Sequence, residues 1–180
     1  GMEVSAGFIV GFDSDRENIF RRQVDFIEKS GIITAMVGLL NAPSKTKLYM
    51  RLAGEGRILG TADGNNTNDV LNFEPKMDRE VLVKGYHSIL KSIYSARAYT
   101  SRVISFIKEY TPRVETRPGI SIEKAGALVK SVLILGIISR DRASFWRLLF
   151  WSLFKRPKML THAVTYSIYG YHFRKVFNIR

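Results

Sequence analysis

Gly7, Ile9, Gly11 and Asp13 fall at every second place in the run Gly7-Phe8-Ile9-Val10-Gly11-Phe12-Asp13, and theirs is the spacing that could do chemistry. Glycine has no Cβ, so a strand ending in glycines lets its backbone approach a flat ligand, and strand C-terminal ends are where α/β folds bind ligands. A nucleotide suits that geometry. The same pattern also serves plain close packing of a strand on the helix that follows it. It is neither a phosphate-cradling loop, since no G-K-[ST] follows, nor the dinucleotide fingerprint, whose glycines are spaced differently.

Three other groups compete for attention. Phe145 to Phe154 is apolar almost all round a helix and is followed directly by Lys155, Arg156 and Lys158. It reads either as a buried central helix or as an interfacial helix that meets a membrane or a lipid-like substrate. His162, Thr165, Tyr169 and His172 fall near one face of the last helix. Their spacing is not a zinc signature and no acid lies among them, so no metal ligand set is expected. Lys84, Lys91, Arg97, Arg102 and Lys108 are spread around two helices rather than gathered into a stripe, which favours solvated surface over nucleic-acid recognition.

The elements that position the glycine run are legible from periodicity. An apolar strand passes into a helix whose start matches the S-x-x-E capping box at Ser14 and Glu17, with Phe20, Val24 and Ile27 at helical spacing. Gly31 suits the helix C-cap, and Ile32 to Leu40 has the continuous apolarity of a parallel strand buried on both faces. Pro43 stops that strand, and Thr46 caps a short helix carrying Leu48, Tyr49 and Leu52, closed by Gly54 and Gly56. Residues 60–72 read as a long loop.

From Asp78 onward the periods are helical. Leu82, Tyr86, Ile89 and Ile93 share one face; after a bend near Ser95, Tyr99, Val103, Phe106 and Tyr110 share another. Thr111-Pro112 and Arg117-Pro118-Gly119 punctuate the chain, and Ser121 can cap a third helix reaching about Ile138. Arg140-Asp141-Arg142 separates it from a fourth that ends before Pro157, and a fifth runs from Lys158 to about Val176. The fold class is therefore mainly α with a small α/β part: two parallel strands followed by a bundle of about five helices.

Composition bounds the function. The 180 residues carry a net charge of +12 and a pI near 10.1, which suits nucleic acid, an anionic membrane surface or an acidic partner. Cysteine is absent, which removes disulfides, cysteine-ligated zinc, iron–sulfur ligation and thiol nucleophiles from this chain. No uncharged stretch reaches the ~18 residues of a spanning helix, so the chain reads as soluble and cytoplasmic. Gly1 before Met2 reads as the remnant of a removed tag, and a start beside an apolar strand as a piece of a longer protein.

The glycine run, the turn Leu39-Leu40-Asn41-Ala42-Pro43-Ser44-Lys45-Thr46 with Leu48-Tyr49, Glu55-Gly56-Arg57-Ile58 and Asn72-Phe73-Glu74-Pro75-Lys76-Met77 together resemble the second half of the cobalamin-binding radical SAM proteins. The resemblance covers nearly the whole chain in order. It implies that residues 3–58 are the fifth and sixth β/α elements of a truncated radical SAM (β/α) barrel, 59–77 a linker loop, and 78–180 the family's C-terminal helical domain. Gly7, Ile9 and Gly11 match the family's G-x-I-x-G-x-x-E element, which lies against the adenine of S-adenosylmethionine; Leu39 and Asn41 match the next strand end, which also lines it. At the acidic place of that element this chain has Ser14, with Asp13 the nearest acid.

The resemblance implies a parent that uses S-adenosylmethionine, a [4Fe–4S] cluster and cobalamin, with methylation of an unreactive carbon as its reaction. This chain, lacking the C-x-x-x-C-x-x-C cysteines, is expected to be inactive alone and to hold at most one wall of an adenosyl pocket. The rival reading is a non-enzymatic helical module that docks a membrane, a protein or nucleic acid. The expected partners are the upstream domains of the parent and a second copy, paired through the exposed edge of the first strand to give a homodimer. A peripheral membrane or lipid-like substrate is a further candidate, and nucleic acid is disfavoured.

Overall fold

The structure, a computed structural model, describes residues 2–61, 70–111 and 122–179. Among them, β1 (Ser5–Val10), α1 (Asn18–Ser30), β2 (Thr34–Leu39) and α2 (Lys47–Gly54) precede five further α-helices. These are α3 (Arg79–Tyr94), α4 (Ala96–Glu109), α5 (Ile122–Ser131), α6 (Arg142–Lys155) and α7 (Leu160–Val176). The fold is mainly α with a two-stranded parallel sheet, as expected. No helix of the described residues is long and apolar enough to cross a membrane.

The chain divides into two compact units. One comprises Ala6–Ile27 and Ala35–Ser92, the other Gly1–Ser5, Glu28–Thr34 and Ile93–Arg180. In the first, β1 and β2 bury one face through Val10, Ala35, Val37 and Leu39, while Gly7, Ile9 and Met36 remain exposed. The continuous apolarity of Ile32 to Leu40 suggested burial on both faces. That holds for the end of β2, where Val37, Gly38, Leu39 and the following Leu40 are all buried, whereas Met36 and, on β1, Gly7 and Ile9 face outward, so side chains that alternate by two meet different surroundings there.

Helix α1 begins at Asn18, not at the Ser14–Glu17 capping box. Asp15 takes over the chain instead: its Oδ2 accepts from the Gly11 and Phe12 N–H groups at 2.9 and 3.0 Å, holding residues 11–15 in a turn. Gly11 has φ +110°, a region that disfavours any side chain, and an added Cβ would lie 3.2 Å from Leu82. Helix α2 starts as expected, with Thr46 Oγ1 accepting from the Tyr49 N–H at 3.2 Å. Helix α3 buries the anticipated stripe of Leu82, Tyr86, Ile89 and Ile93. The Phe20 ring sits so tightly on Gly85 that a Cβ there would come within 2.2 Å of it.

In the second unit, α4 is capped by Ser95 and buries Tyr99, Val103 and Ile107; Tyr99 rests on Gly170 of α7. The expected third helix is α5 continued by a π-helix, Val132–Ile138, while its cap at Ser121 and the punctuation at 112–119 lie outside the described residues. The wider turn is stabilised where Trp146 of α6 lies over Gly136 and donates from Nε1 to its carbonyl at 2.9 Å, and where the Ser139 N–H reaches back to the Ile134 carbonyl. After α6, Pro157–Met159 form a single 3₁₀ turn leading into α7.

Candidate functional site

The C-terminal ends of β1 and β2 carry the candidate residues, and the turns after them are tied down by three polar anchors. Asp15 is the first. The second is Asp13, whose Oδ1 accepts from Arg57 Nη2 at 2.8 Å and whose Oδ2 accepts from Arg51 Nη1 at 2.7 Å and Arg57 Nη1 at 3.2 Å. Glu55 bridges the same two guanidinium groups at 2.9 and 2.7 Å. Arg57 completes its set by donating from Nε to the Glu74 carbonyl and lying 5.8 Å from the Phe73 ring centre. The hydrogen bonds from Arg57, reinforced by Arg51, hold the Asp13 carboxyl well below the usual carboxylate range, outweighing the opposing effect of burial. Its oxygens are thus committed to bracing the strand end.

Asn72 is the third anchor. Buried at 3% exposure, its side-chain amide pairs with both backbone groups of Ala42, accepting from N–H and donating to C=O, each at 2.8 Å. Its own N–H meets Asn41 Oδ1 at 3.3 Å, and its carbonyl accepts from Leu59 N–H beside the antiparallel bridge of Ile58 to Phe73. A buried amide that completes a backbone pair fixes the turn after β2 as a strand neighbour would. Arg57 and Asn72 lie in stretches that carry the family resemblance, residues 55–58 and 72–77, but neither they nor Arg51 stand out in the sequence as site residues. Asn72 stands at the end of a stretch read as loop, and Arg51 and Arg57 become partners only once α2 folds back.

Each predicted site residue can now be placed. Gly7 and Ile9 lie on the exposed face of the sheet, and a Cβ on Gly7 would meet nothing within 4 Å. Gly11 is buried in the turn, where its backbone conformation and the contact with Leu82 already require glycine. Leu39 is buried, and Asn41 is held by Asn72.

The other candidates are dispersed. On α7, Thr165 donates to the Thr161 carbonyl, Tyr169 packs edge-on to Tyr166, and His172 lies beside Phe173. No group of three or more metal-capable side chains occurs among the described residues. Helix α6 is neither wholly buried nor wholly interfacial, for Phe145, Leu148 and Ser152 are buried while Phe150, Leu153 and Phe154 are exposed. Arg102, expected on solvated surface, is sealed from solvent: it pairs with Glu28 and lies 5.4 Å from the Tyr99 ring. One turn beyond Tyr99, it falls on the buried side of α4.

Comparison with known proteins adds the family. The chain is 30% identical over 178 residues to an uncharacterised methyltransferase of Synechocystis sp., covering 96% of this chain and 33% of that protein. It is 29% identical over 158 residues to the hopanoid C-2 methylase of Rhodopseudomonas palustris, covering 82% of this chain and 28% of that protein. The chain thus spans about a third of the length of the curated relatives it matches. No solved structure matches. Residues 46–180 match the model of a domain of unknown function, DUF4070. With three quarters of its length under that match and methylating relatives along nearly all of it, the chain belongs to the DUF4070 family, in keeping with the C-terminal part of the cobalamin-binding radical SAM proteins.

Proposed function

We propose that this chain is the C-terminal part of a radical SAM methyltransferase that uses cobalamin to methylate an unreactive carbon, and that the ends of β1 and β2 form one wall of its adenosyl pocket. The observation that carries the reading is the open face at Gly7 and Ile9. Nothing stands within 4 Å of a Cβ on Gly7, so a flat ring can lie directly on the strand backbone there. Asp15, Asp13 and Asn72 then act as positioning residues, holding the two turns that frame this face. Relatives with methyltransferase names support the reaction class.

S-adenosylmethionine would supply the methyl group or the adenosyl radical of such a reaction. The chain's own part is to orient the adenine through backbone and Ile9. A [4Fe–4S] cluster does not fit these residues, because there is no cysteine to hold it, and no step is assigned to one here. Among the described residues none is assigned to cobalamin. The isolated chain is accordingly inactive, and with one wall only it should bind S-adenosylmethionine weakly or not at all.

The test uses the longer protein, purified without oxygen. It should bind iron and consume S-adenosylmethionine, and Gly7→Leu should raise KM for S-adenosylmethionine with little change in iron content. A longer protein that binds no iron, or a Gly7→Leu variant with unchanged KM, would remove the proposal. Micromolar affinity of the isolated chain by calorimetry would show a self-contained pocket instead.

A further inference from the structure

The helical unit leaves apolar rows uncovered on α5, the π-helix and α6. Val129, Leu133 and Ile137 recur at intervals of four along α5 and the π-helix and are all exposed; Ile138, next in line, is 76% exposed. On α6, Phe150 and Leu153 are exposed and Phe154 is 78% exposed. Trp146 joins the two rows, lying over Gly136 on one side and stacking on Phe150 at 5.3 Å on the other. Large apolar side chains gathered in this way mark an interaction surface rather than ordinary scatter.

Charge says what the surface meets. From Gly126 to Ile179 the sole acid is Asp141, and it is engaged by Arg174 at 3.2 Å. Arg140 and Arg142 follow the tip of the π-helix, and Lys155, Arg156 and Lys158 follow the exposed phenyl rings of α6. Directly beside Ile138 opens a groove of about 520 Å³ whose lining includes Arg140, Arg174 and Lys175, with Asp141 as its one acid and Tyr171 and Asn178 beside them. Burial holds the Arg174 guanidinium below its usual range, Asp141 only partly offsetting it, so an added anion would find a favourable place.

We propose that the π-helix and α6 form a docking face for an anionic lipid bilayer, with Ile137, Ile138, Phe150 and Phe154 entering the acyl boundary and phosphate headgroups occupying the Arg140–Arg174–Lys175 groove. Apolar side chains among basic ones, with almost no acid, are the signature of an interfacial element. A second copy of this face would bring the same positive charge against itself. Nucleic acid would satisfy the arginines and leave the aliphatic and phenyl row in water. The proposal is independent of the adenosyl reading.

The experiment is flotation of the chain with phosphatidylcholine vesicles, with and without phosphatidylglycerol, and with Trp146 and Trp151 fluorescence as a second readout. Binding should require phosphatidylglycerol, fall as salt is raised, and shift the emission to the blue. Ile138→Ser with Phe154→Ser should weaken binding about tenfold or more. Arg140→Gln and Lys175→Gln should each weaken it about fivefold, while Arg21→Gln with Lys84→Gln, which removes two exposed charges from the other unit, should change it little. All six positions are polar or exposed, and an unchanged melting curve checks that each variant folds.

Three results would overturn the proposal. The first is no binding to the anionic vesicles. The second is binding indifferent to the Ile138 and Phe154 changes, which would reduce it to attraction by net charge. The third is an occupant other than lipid: a lipid-free dimer abolished by those changes would assign the face to a second copy, and equally tight binding of polyglutamate would assign it to an acidic protein.

Discussion

At the end of β1 the Asp13 carboxylate is 19% exposed, lies between two guanidinium groups and has both oxygens engaged, whereas in the helical unit the Arg102 side chain is 0% exposed and its Nε and Nη2 have no hydrogen-bond partner. Both are arginine–carboxylate contacts. In the first, two arginines share one carboxylate and together outweigh its desolvation; the second is placed where desolvation dominates. The titrations follow. Burial raises the Glu28 pKa more than Arg102 lowers it, while the arginines lower that of Asp13 more than burial raises it. A carboxylate beside an arginine is thus stabilised or strained according to where the pair sits.

The largest expected effect comes from breaking the sealed pair. Glu28→Ala leaves Arg102 buried without a counter-charge and should cost about 3 kcal/mol or more in urea unfolding, whereas Glu28→Gln with Arg102→Leu should recover most of that loss. A mild Glu28→Ala would mean that water reaches Arg102. The pH dependence sharpens the contrast. Because the folded Glu28 pKa lies above its unfolded value of 4.5, the stability it contributes is complete below pH 4.5 and is lost as pH rises through the folded value. Glu28→Gln should remove that slope.

Close helix packing offers a comparison in which the two units agree. A Cβ would lie 2.2 Å from the Phe20 ring at Gly85 and 2.5 Å from the Tyr99 ring at Gly170. Gly85→Ala and Gly170→Ala should each cost about 1 to 3 kcal/mol despite the better helix propensity of alanine. Gly126, inside α5, has nothing within 4 Å of a Cβ, so Gly126→Ala should be neutral or add up to about 1 kcal/mol. Equal melting shifts at the three sites would show that propensity, not packing, decides.

These glycines also show what the sequence makes legible. The stripe of Leu82, Tyr86, Ile89 and Ile93 follows from period alone, and the cap at Thr46 from residues a turn apart, whereas Ser95 reads only as a bend and proves to cap α4. Glycine at 85 or 170 reads locally as a weak place in a helix; its use lies in an aromatic ring that arrives from a distant segment. Arg102, Asn72 and the Asp13 cluster were hidden for the same reason, since their partners stand 74, 30 and 38 to 44 residues away. The capping box at Ser14 failed differently: a local pattern was present, but Asp15 offered the backbone at Gly11 and Phe12 a competing set of hydrogen bonds.

The Asp13 cluster predicts a smaller loss than the sealed pair, with the opposite pH slope. Asp13→Asn should cost about 1 to 2 kcal/mol, less than a buried ion pair because solvent screens it. The folded carboxyl titrates below its unfolded value of 3.8, so its stabilisation is present above that value and is lost as pH falls toward the folded one. Acid unfolding followed by circular dichroism should therefore steepen below about pH 4 in the unaltered chain, and the steepening should diminish in Asp13→Asn. Identical acid limbs would mean that the arginines have exchanged Asp13 for another acceptor.

The smallest effect concerns the outer edge of β1. Val10's carbonyl faces β2, accepting from the Leu40 N–H at 2.8 Å, whereas Ile9's carbonyl turns the other way and accepts from Gln23 Nε2 of α1 at 2.9 Å. Main-chain groups along such an edge are a template for another strand, and this one has neither proline nor lysine from Val4 to Phe12 to discourage pairing. We expect the isolated chain to form a homodimer through this edge, weakly, because Gln23 already occupies one of the acceptors a partner would need. Gln23→Ala frees that acceptor and should tighten self-association by about one hydrogen bond, roughly fivefold in the dimer constant. Sedimentation velocity over a range of concentrations measures it. If both forms stay monomeric when concentrated, α1 guards the edge by bulk rather than through Gln23, and the homodimer is excluded; if both dimerise alike, the contact lies elsewhere.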